Sequence, residues 1–179
     1  HLGRITEAEG VNADPEALAL IARAAEGSAR DSLSLLDQAI AHGGGAVTTE
    51  EVRTMLGLAD RARVIDLFEA VMRGDLAAAL AELTAQYDAG ADPYVVLNDL
   101  AGFIHLVTRF KLVPDAGKDA ALTEAERLRG ADLASLLSLR ILARSWQILI
   151  KGLPEVQQAA RPIAAAEMLL VRLAYAADL

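Results

Sequence analysis

A chain of 179 residues with 54% hydrophobic and 23% charged residues has the apolar content of a packed core, which argues against disorder. It contains no cysteine, so disulfides and thiolate metal sites are excluded and a reducing compartment fits. Its formal charge of −8 makes it a poor independent binder of phosphate backbones, whose non-specific affinity comes from Lys and Arg.

Ala and Leu supply much of the apolar fraction, and aromatics are only 4%, which favours helices packed closely on helices. No apolar run approaches the roughly 18 residues needed to cross a bilayer, and the first residues show no signal-peptide pattern.

Asp14-Pro15 predicts a helix start, with proline at the position where its missing N–H costs nothing. Leu18, Ile21, Ala22 and Ala25 then share a face, and Gly27 suits the left-handed position after the helix. Ser28 and Asp31 stand at capping-box spacing for a second helix, whose Ala29, Leu33, Leu36 and Ile40 fall in a narrow arc. "HGGGA" at 42–46 breaks it. Thr48 and Glu51 repeat the capping-box spacing, with Val52, Met55 and Leu56 as the buried side and Gly57 as the stop.

Beyond Gly57, Val64, Leu67, Phe68 and Val71 form a stripe that Gly74 ends. Asp75 opens a helix carrying Leu76, Leu80, Leu83 and Tyr87, closed by Gly90. Asp92-Pro93 starts a long helix through Val96, Leu97, Leu100, Ile104 and Val107, with Pro114 just beyond. A short helix is expected over 123–129, a strongly apolar one from Asp132 to Lys151, a break at "GLPEV", and a last helix from Pro162 to Ala176. No segment alternates with period 2, so the fold is predicted all-α: a small three- or four-helix unit over 1–57, then a larger bundle of five or six helices over 58–179. The first unit is too small for a robust core of its own and is expected to lean on a neighbour.

Arg30 sits oddly. It occupies the first turn of its helix, where the positive end of the helix dipole opposes a cation. Arg30, Ser34 and Asp37 lie along one flank of the apolar seam, and Asp31 and Gln38 on the other. Two readings are open. Arg30 pairs with Asp37 or with a carboxylate of another helix, an ordinary arrangement since most helix-surface charges are solvated or weakly paired. Alternatively, the free N–H groups of the helix start and the two-pronged guanidinium make an anion site.

Residues 16–57, "EALALIARAAEGSARDSLSLLDQAIAHGGGAVTTEEVRTMLG", closely resemble the lid of the gamma/tau subunit of bacterial DNA polymerase III, the AAA+ motor of the sliding-clamp loader. The pattern A-x-G-S-x-R-D-x-L-S-L-L-D-Q-A-I is satisfied at every fixed position from Ala25 to Ile40. "HLGRITEAEGV" resembles the entry into that lid, and "GADPYVVLNDL" and "AAEMLLVRLA" resemble the family's collar more loosely.

The resemblance implies an AAA+ lid over 1–57 and a collar over 58–179. It implies that Arg30 is the sensor-2 residue reaching the γ-phosphate of ATP, and that Ala29 lines the same cleft. It also implies magnesium with the ATP, both held mainly by a preceding nucleotide domain. The partners it implies are the delta and delta-prime subunits and further gamma/tau copies, met through the collar. The sliding clamp and primed DNA follow through the whole assembly, in the cytoplasm, with no membrane. An exposed apolar surface on the long collar helices is expected where subunits meet.

The sequence has no G-x-x-x-x-G-K-[ST] phosphate loop, no acidic strand end for Mg²⁺, no trans-acting Ser-Arg-Cys finger and no zinc cysteines. It therefore reads as a lid-and-collar stretch with no catalytic residue and no metal ligand, expected not to hydrolyse ATP alone. His1, His42 and His105 lack metal-ligand spacing, Ser28, Ser32 and Ser34 lack a histidine base, and Lys111, Lys118 and Lys151 form no basic patch. Trp146 reads as core or subunit-interface packing. Two other classes stay open: the lid and bundle of another AAA+ repair or recombination ATPase, and a helical adaptor with no nucleotide role.

Overall fold

The computed structural model describes residues 3–4, 10–25, 29–42, 46–48, 51–52 and 61–177, and of residues 16, 23–24, 29–32 and 42 the backbone alone. Eight α-helices of ten residues or more, one short 3₁₀ turn and a two-residue strand pair make up the described elements. The all-α reading holds. The contacts group the chain into two units, His1–Leu58 with Lys118–Thr123, and Ala59–Gly117 with Glu124–Leu179.

In the first unit, α1 (Pro15–Ala24) starts at the expected proline and α2 (Ala29–His42) follows. Strand β1 (Asn12–Ala13) precedes α1 and β2 (Ala46–Val47) follows α2. The two strands pair in parallel, Asn12 opposite Ala46 and Ala13 opposite Val47, and the Asp14 N–H donates to the Val47 carbonyl at 2.8 Å. This clip ties together the chain entering α1 and the chain leaving α2. It was not expected, because two residues are too few to show an alternating pattern.

The core of this unit is Ala17, Leu20, Ile21, Leu36, Ala39, Val47 and Val52. Most of the predicted faces hold, with Ile21, Ala25 and Leu36 buried and Leu18 and Ile40 partly buried, but Ala22 and Leu33 are exposed and Ala17, Leu20 and Ala39 join the buried side. Alanine's small area makes it a weak marker of a face, and α1 therefore settles on Ala17, Leu20 and Ile21 at i, i+3, i+4. The Glu51 N–H donates to Thr48 Oγ1 at 3.3 Å, one half of the expected capping box. Gly27, Ser28, Met55, Leu56 and Gly57 lie outside the described residues.

The second unit holds α3 (Arg61–Met72), α4 (Leu76–Asp88), α5 (Pro93–Leu112), α6 (Glu124–Leu136), α7 (Leu139–Gln158) and α8 (Pro162–Ala177). Asp75 caps α4 by accepting from the Ala78 N–H, and Asp92 caps α5 by accepting from the Tyr94 N–H, with Pro93 in the first turn. The stripes read for α3 and α5 are all buried, and Phe68 meets Phe103 edge-to-face with ring centres 5.4 Å apart. On α4 the seam differs: Tyr87 is exposed and Gln86 is buried in its place. Gln86 escapes the usual cost of burying an amide because its Nε2 donates to Glu82 Oε1 at 3.1 Å.

Two boundaries of the long helices need correction. Asp132 does not open a helix; it lies inside α6, which runs to Leu136. The break falls at Leu137 and Ser138, where Ser138 Oγ accepts from the Ile141 N–H and starts α7, turned 116° from α6. The Lys111 ammonium donates to the Ala134 carbonyl at 2.8 Å, satisfying one of the last carbonyls of α6. "GLPEV" does not break α7 either, which continues through Pro154 to Gln158. Pro154 and Ile150, whose carbonyl loses its helical partner, are both exposed, so water can take the freed bond.

Candidate functional site

The sequence directs attention first to the start of α2. Ala29 and Arg30 occupy its first turn, as the spacing required. Their side chains, and Ser28 before them, lie outside what is described, so the geometry available is that of the backbone. Further along the same helix, Leu36 is 1% and Ala39 4% exposed against α1. Ser34, Asp37 and Gln38 are exposed. A fourteen-residue helix fixed along one side by a core and clipped at its far end by β2 is a rigid carrier for whatever its first turn presents.

In the second unit, ion pairs join α3 and α6, with Glu126 buried and Asp66 exposed. Arg129 donates from Nη2 to Asp66 Oδ1 at 2.8 Å and from Nε to Glu69 Oε1 at 3.2 Å, while Arg61 Nη1 reaches Glu126 Oε2 at 2.6 Å. On α4, Glu82 takes the Arg63 Nε–H at 2.8 Å. These ion pairs join one helix to another, so they read as packing rather than chemistry. Sequence reading missed them because partners such as Arg129 and Asp66 are 63 residues apart, beyond any local spacing rule. Among the described residues no group of three or more His, Asp or Glu could hold a metal ion. No single described helix is long and apolar enough to cross a membrane.

Exposed large apolar residues are spread over α2, α4, α5, α6, α7 and α8, with three of them on α7. On α7, Leu139 is 43%, Trp146 41% and Ile150 43% exposed, with exposed Ala143 between them. Trp146 is therefore surface rather than core; its ring lies 6.1 Å from that of His105 on α5. His105 is itself exposed. Leu112 at the end of α5, Leu128 and Leu136 on α6, and Met168 and Tyr175 on α8 are also exposed.

Comparison with known proteins gives a consistent result. Residues 47–179 match the family described as DNA polymerase III subunits gamma and tau domain III, and residues 1–45 match the DNA polymerase III clamp loader subunit, ATPase lid domain. DNA polymerase III subunit tau of Escherichia coli (strain K12) is 36% identical over 172 residues, 96% of this chain and 26% of that protein. The gamma/tau subunit of Mycobacterium tuberculosis (strain ATCC 25618 / H37Rv) is 33% identical over 180 residues, again 96% of this chain and 30% of that protein. Protein STICHEL of Arabidopsis thaliana is 30% identical over 146 residues, 80% of this chain and 12% of that protein. The chain thus spans under a third of the length of these relatives.

Among solved structures, the Bacillus subtilis DNA clamp loader delta protein (YqeN) superposes with a TM-score of 0.53 at 15% identity, over 96% of this chain and 54% of that one. At that identity the likeness is one of fold. With both family matches laid end to end over nearly all of its residues, the chain belongs to the DNA polymerase III gamma/tau family and carries the clamp-loader lid and collar domains.

Proposed function

We propose that this chain is the ATP-responsive lid and the assembly collar of a clamp-loader motor subunit, with Arg30 as the residue that reads the γ-phosphate. The observation that carries the reading is the placement of Arg30 in the first turn of α2, inside the stretch that matches the ATPase lid. A cation is disfavoured there unless an anion is brought to it. Free N–H groups at a helix start and a guanidinium beside them suit a phosphoryl group, so residues 29–30 are compatible with a nucleotide held from the other side. Bound ATP would bring the terminal phosphoryl group and, with Mg²⁺, the hydrolytic chemistry of a preceding nucleotide domain.

On this reading Arg30 engages only when the γ-phosphate is present. Its differential contact draws the lid towards the nucleotide domain, and α2 passes the rotation on as a rigid lever. The collar holds the subunit among the other loader subunits, delta, delta-prime and further gamma/tau copies, while the assembly handles clamp and primed DNA in the cytoplasm. The exposed apolar residues of the long helices support the collar role. The test is Arg30→Ala in the intact subunit. Assembly with the other subunits should persist while ATP-dependent clamp loading falls by about tenfold or more, the order expected for a charged hydrogen bond. Clamp loading at the unsubstituted rate would overturn it.

A further inference from the structure

The connection between α5 and α6 is not an ordinary surface loop. Loops of globular proteins run over the outside, yet Ala121 and Leu122 in this one are each only 2% exposed. They belong to neither core cluster of the described residues, and by its contacts their segment, Lys118–Thr123, groups with His1–Leu58. The loop is also held in shape. The Asp119 carboxylate accepts from the Ala121 N–H at 2.9 Å and the Asp119 carbonyl from the Leu122 N–H at 3.2 Å, closing the turn that carries both apolar residues. The chain passes between the two units three times, after Leu58, Gly117 and Thr123. All three crossings lead to the first turn of α6, which begins at Glu124. Arg127 Nε donates to the Gly117 carbonyl at 3.0 Å, and buried Glu126 holds Arg61, the first residue of α3, at 2.6 Å.

We infer that Lys118–Thr123 is a rigid prong that completes the packing of the lid, and that the first turn of α6 is where displacement of the lid enters the collar. Among the described residues the lid's core holds three buried leucine or isoleucine side chains, Leu20, Ile21 and Leu36. A unit this small gains from apolar surface supplied by another stretch of chain, and Leu122 supplies it. A single linker after Leu58 would leave the lid free to turn without consequence for the collar. A second attachment, braced at its root by Arg127, does not: a lid that moves carries the prong, and α6 with it. Arg127 and Glu126 are positioning residues in this arrangement, since they act through the chain they hold. The transmission rests on the nucleotide reading of the lid; the packing does not, and the two are tested apart.

Amide hydrogen exchange of the 179-residue chain, without nucleotide, tests the prong. Leu122→Ala should speed exchange in α1 and α2 by about tenfold or more, while α7 and α8 stay within about twofold of the parent. Arg127→Ala loosens the root and leaves the buried tip intact. It should move α1 and α2 in the same direction by about threefold, and it carries the decision should Leu122→Ala fail to fold. Unchanged exchange in α1 and α2, or equal loosening of all four helices, overturns the prong. Transmission is read with Arg127→Ala in the intact subunit. ATP affinity should stay within about twofold while ATP-dependent clamp loading falls by about threefold or more. Loading at the parent rate overturns transmission. Failure of the nucleotide reading shows elsewhere, as an unchanged preference for ATP over ADP in Arg30→Ala.

Discussion

Gly152 of α7 lies so close to Leu169 of α8 that a β-carbon added to it would fall 2.3 Å from a δ-carbon of that leucine. Leu169 is fully buried, so its side chain has nowhere to withdraw. The absence of a side chain at Gly152 is thus what lets α7 and α8 approach at this point. Gly152→Ala should lower stability by about 1–2 kcal/mol, an overpacking cost that exceeds the modest helix-propensity gain. Gly102, in the interior of α5, has nothing within 4 Å of its would-be β-carbon. There the same change should raise stability by about 0.5–1 kcal/mol. Paired thermal melts would check both; equal shifts of the same sign would contradict the packing argument.

Arg129 fastens α6 to α3 through Asp66 and Glu69. Burial, its largest single influence, lowers its pKa, but the hydrogen bonds and charges of Asp66 and Glu69 together outweigh that and leave it raised. With the folded pKa above the unfolded one, the arginine's contribution is complete below the unfolded value. It is lost only as pH rises through the folded one, in strong alkali. Arg129→Ala should therefore cost about 0.5–1 kcal/mol, the screened worth of a half-exposed pair network, with the difference from the parent flat between about pH 7 and 10. Urea titrations at several pH values would measure this. A loss that vanished within that range would contradict it.

Two leucines of α2 separate core from surface. Leu36 is 1% exposed and Leu33 is 38%. Leu36→Ala should destabilise the first unit by about 2–5 kcal/mol, and Leu33→Ala by less than about 1 kcal/mol. Amide hydrogen exchange of α1 and α2 would resolve the two. Loss of protection in both variants alike would show that the inward face has been wrongly assigned.

The helices announced themselves wherever a cap and a wide stripe coincided. Asp92-Pro93 with Val96, Leu97, Leu100, Ile104 and Val107 is such a case, and α5 matches its reading closely. Misreadings arose where side chains are small or where a local rule met a tertiary contact. Ala22 marked the wrong side of α1 because an alanine has too little area to define a face. Pro154 was taken for a stop, although it sits on the exposed side of a helix held by Gly152 and Val156 on the other. Gln86 replaced Tyr87 because Glu82, one turn earlier, was there to receive its amide. The ion pairs of Arg129 could not be anticipated, since nothing local relates it to Asp66. For Arg30, the placement at a helix start was readable from Gly27 and Ser28 and α2 does begin at Ala29, whereas a role towards phosphate came from the family resemblance, since the helix dipole alone leaves a carboxylate pairing open.

The most direct measurement is nucleotide binding by the intact subunit with and without Arg30. ATP and ADP affinities are determined for the parent and for Arg30→Ala. An arginine that contacts only the γ-phosphate should, when removed, weaken ATP by about 10- to 100-fold and leave ADP unchanged, in line with a lost charged hydrogen bond. An unaltered ratio of ATP to ADP affinity would contradict the account at its centre.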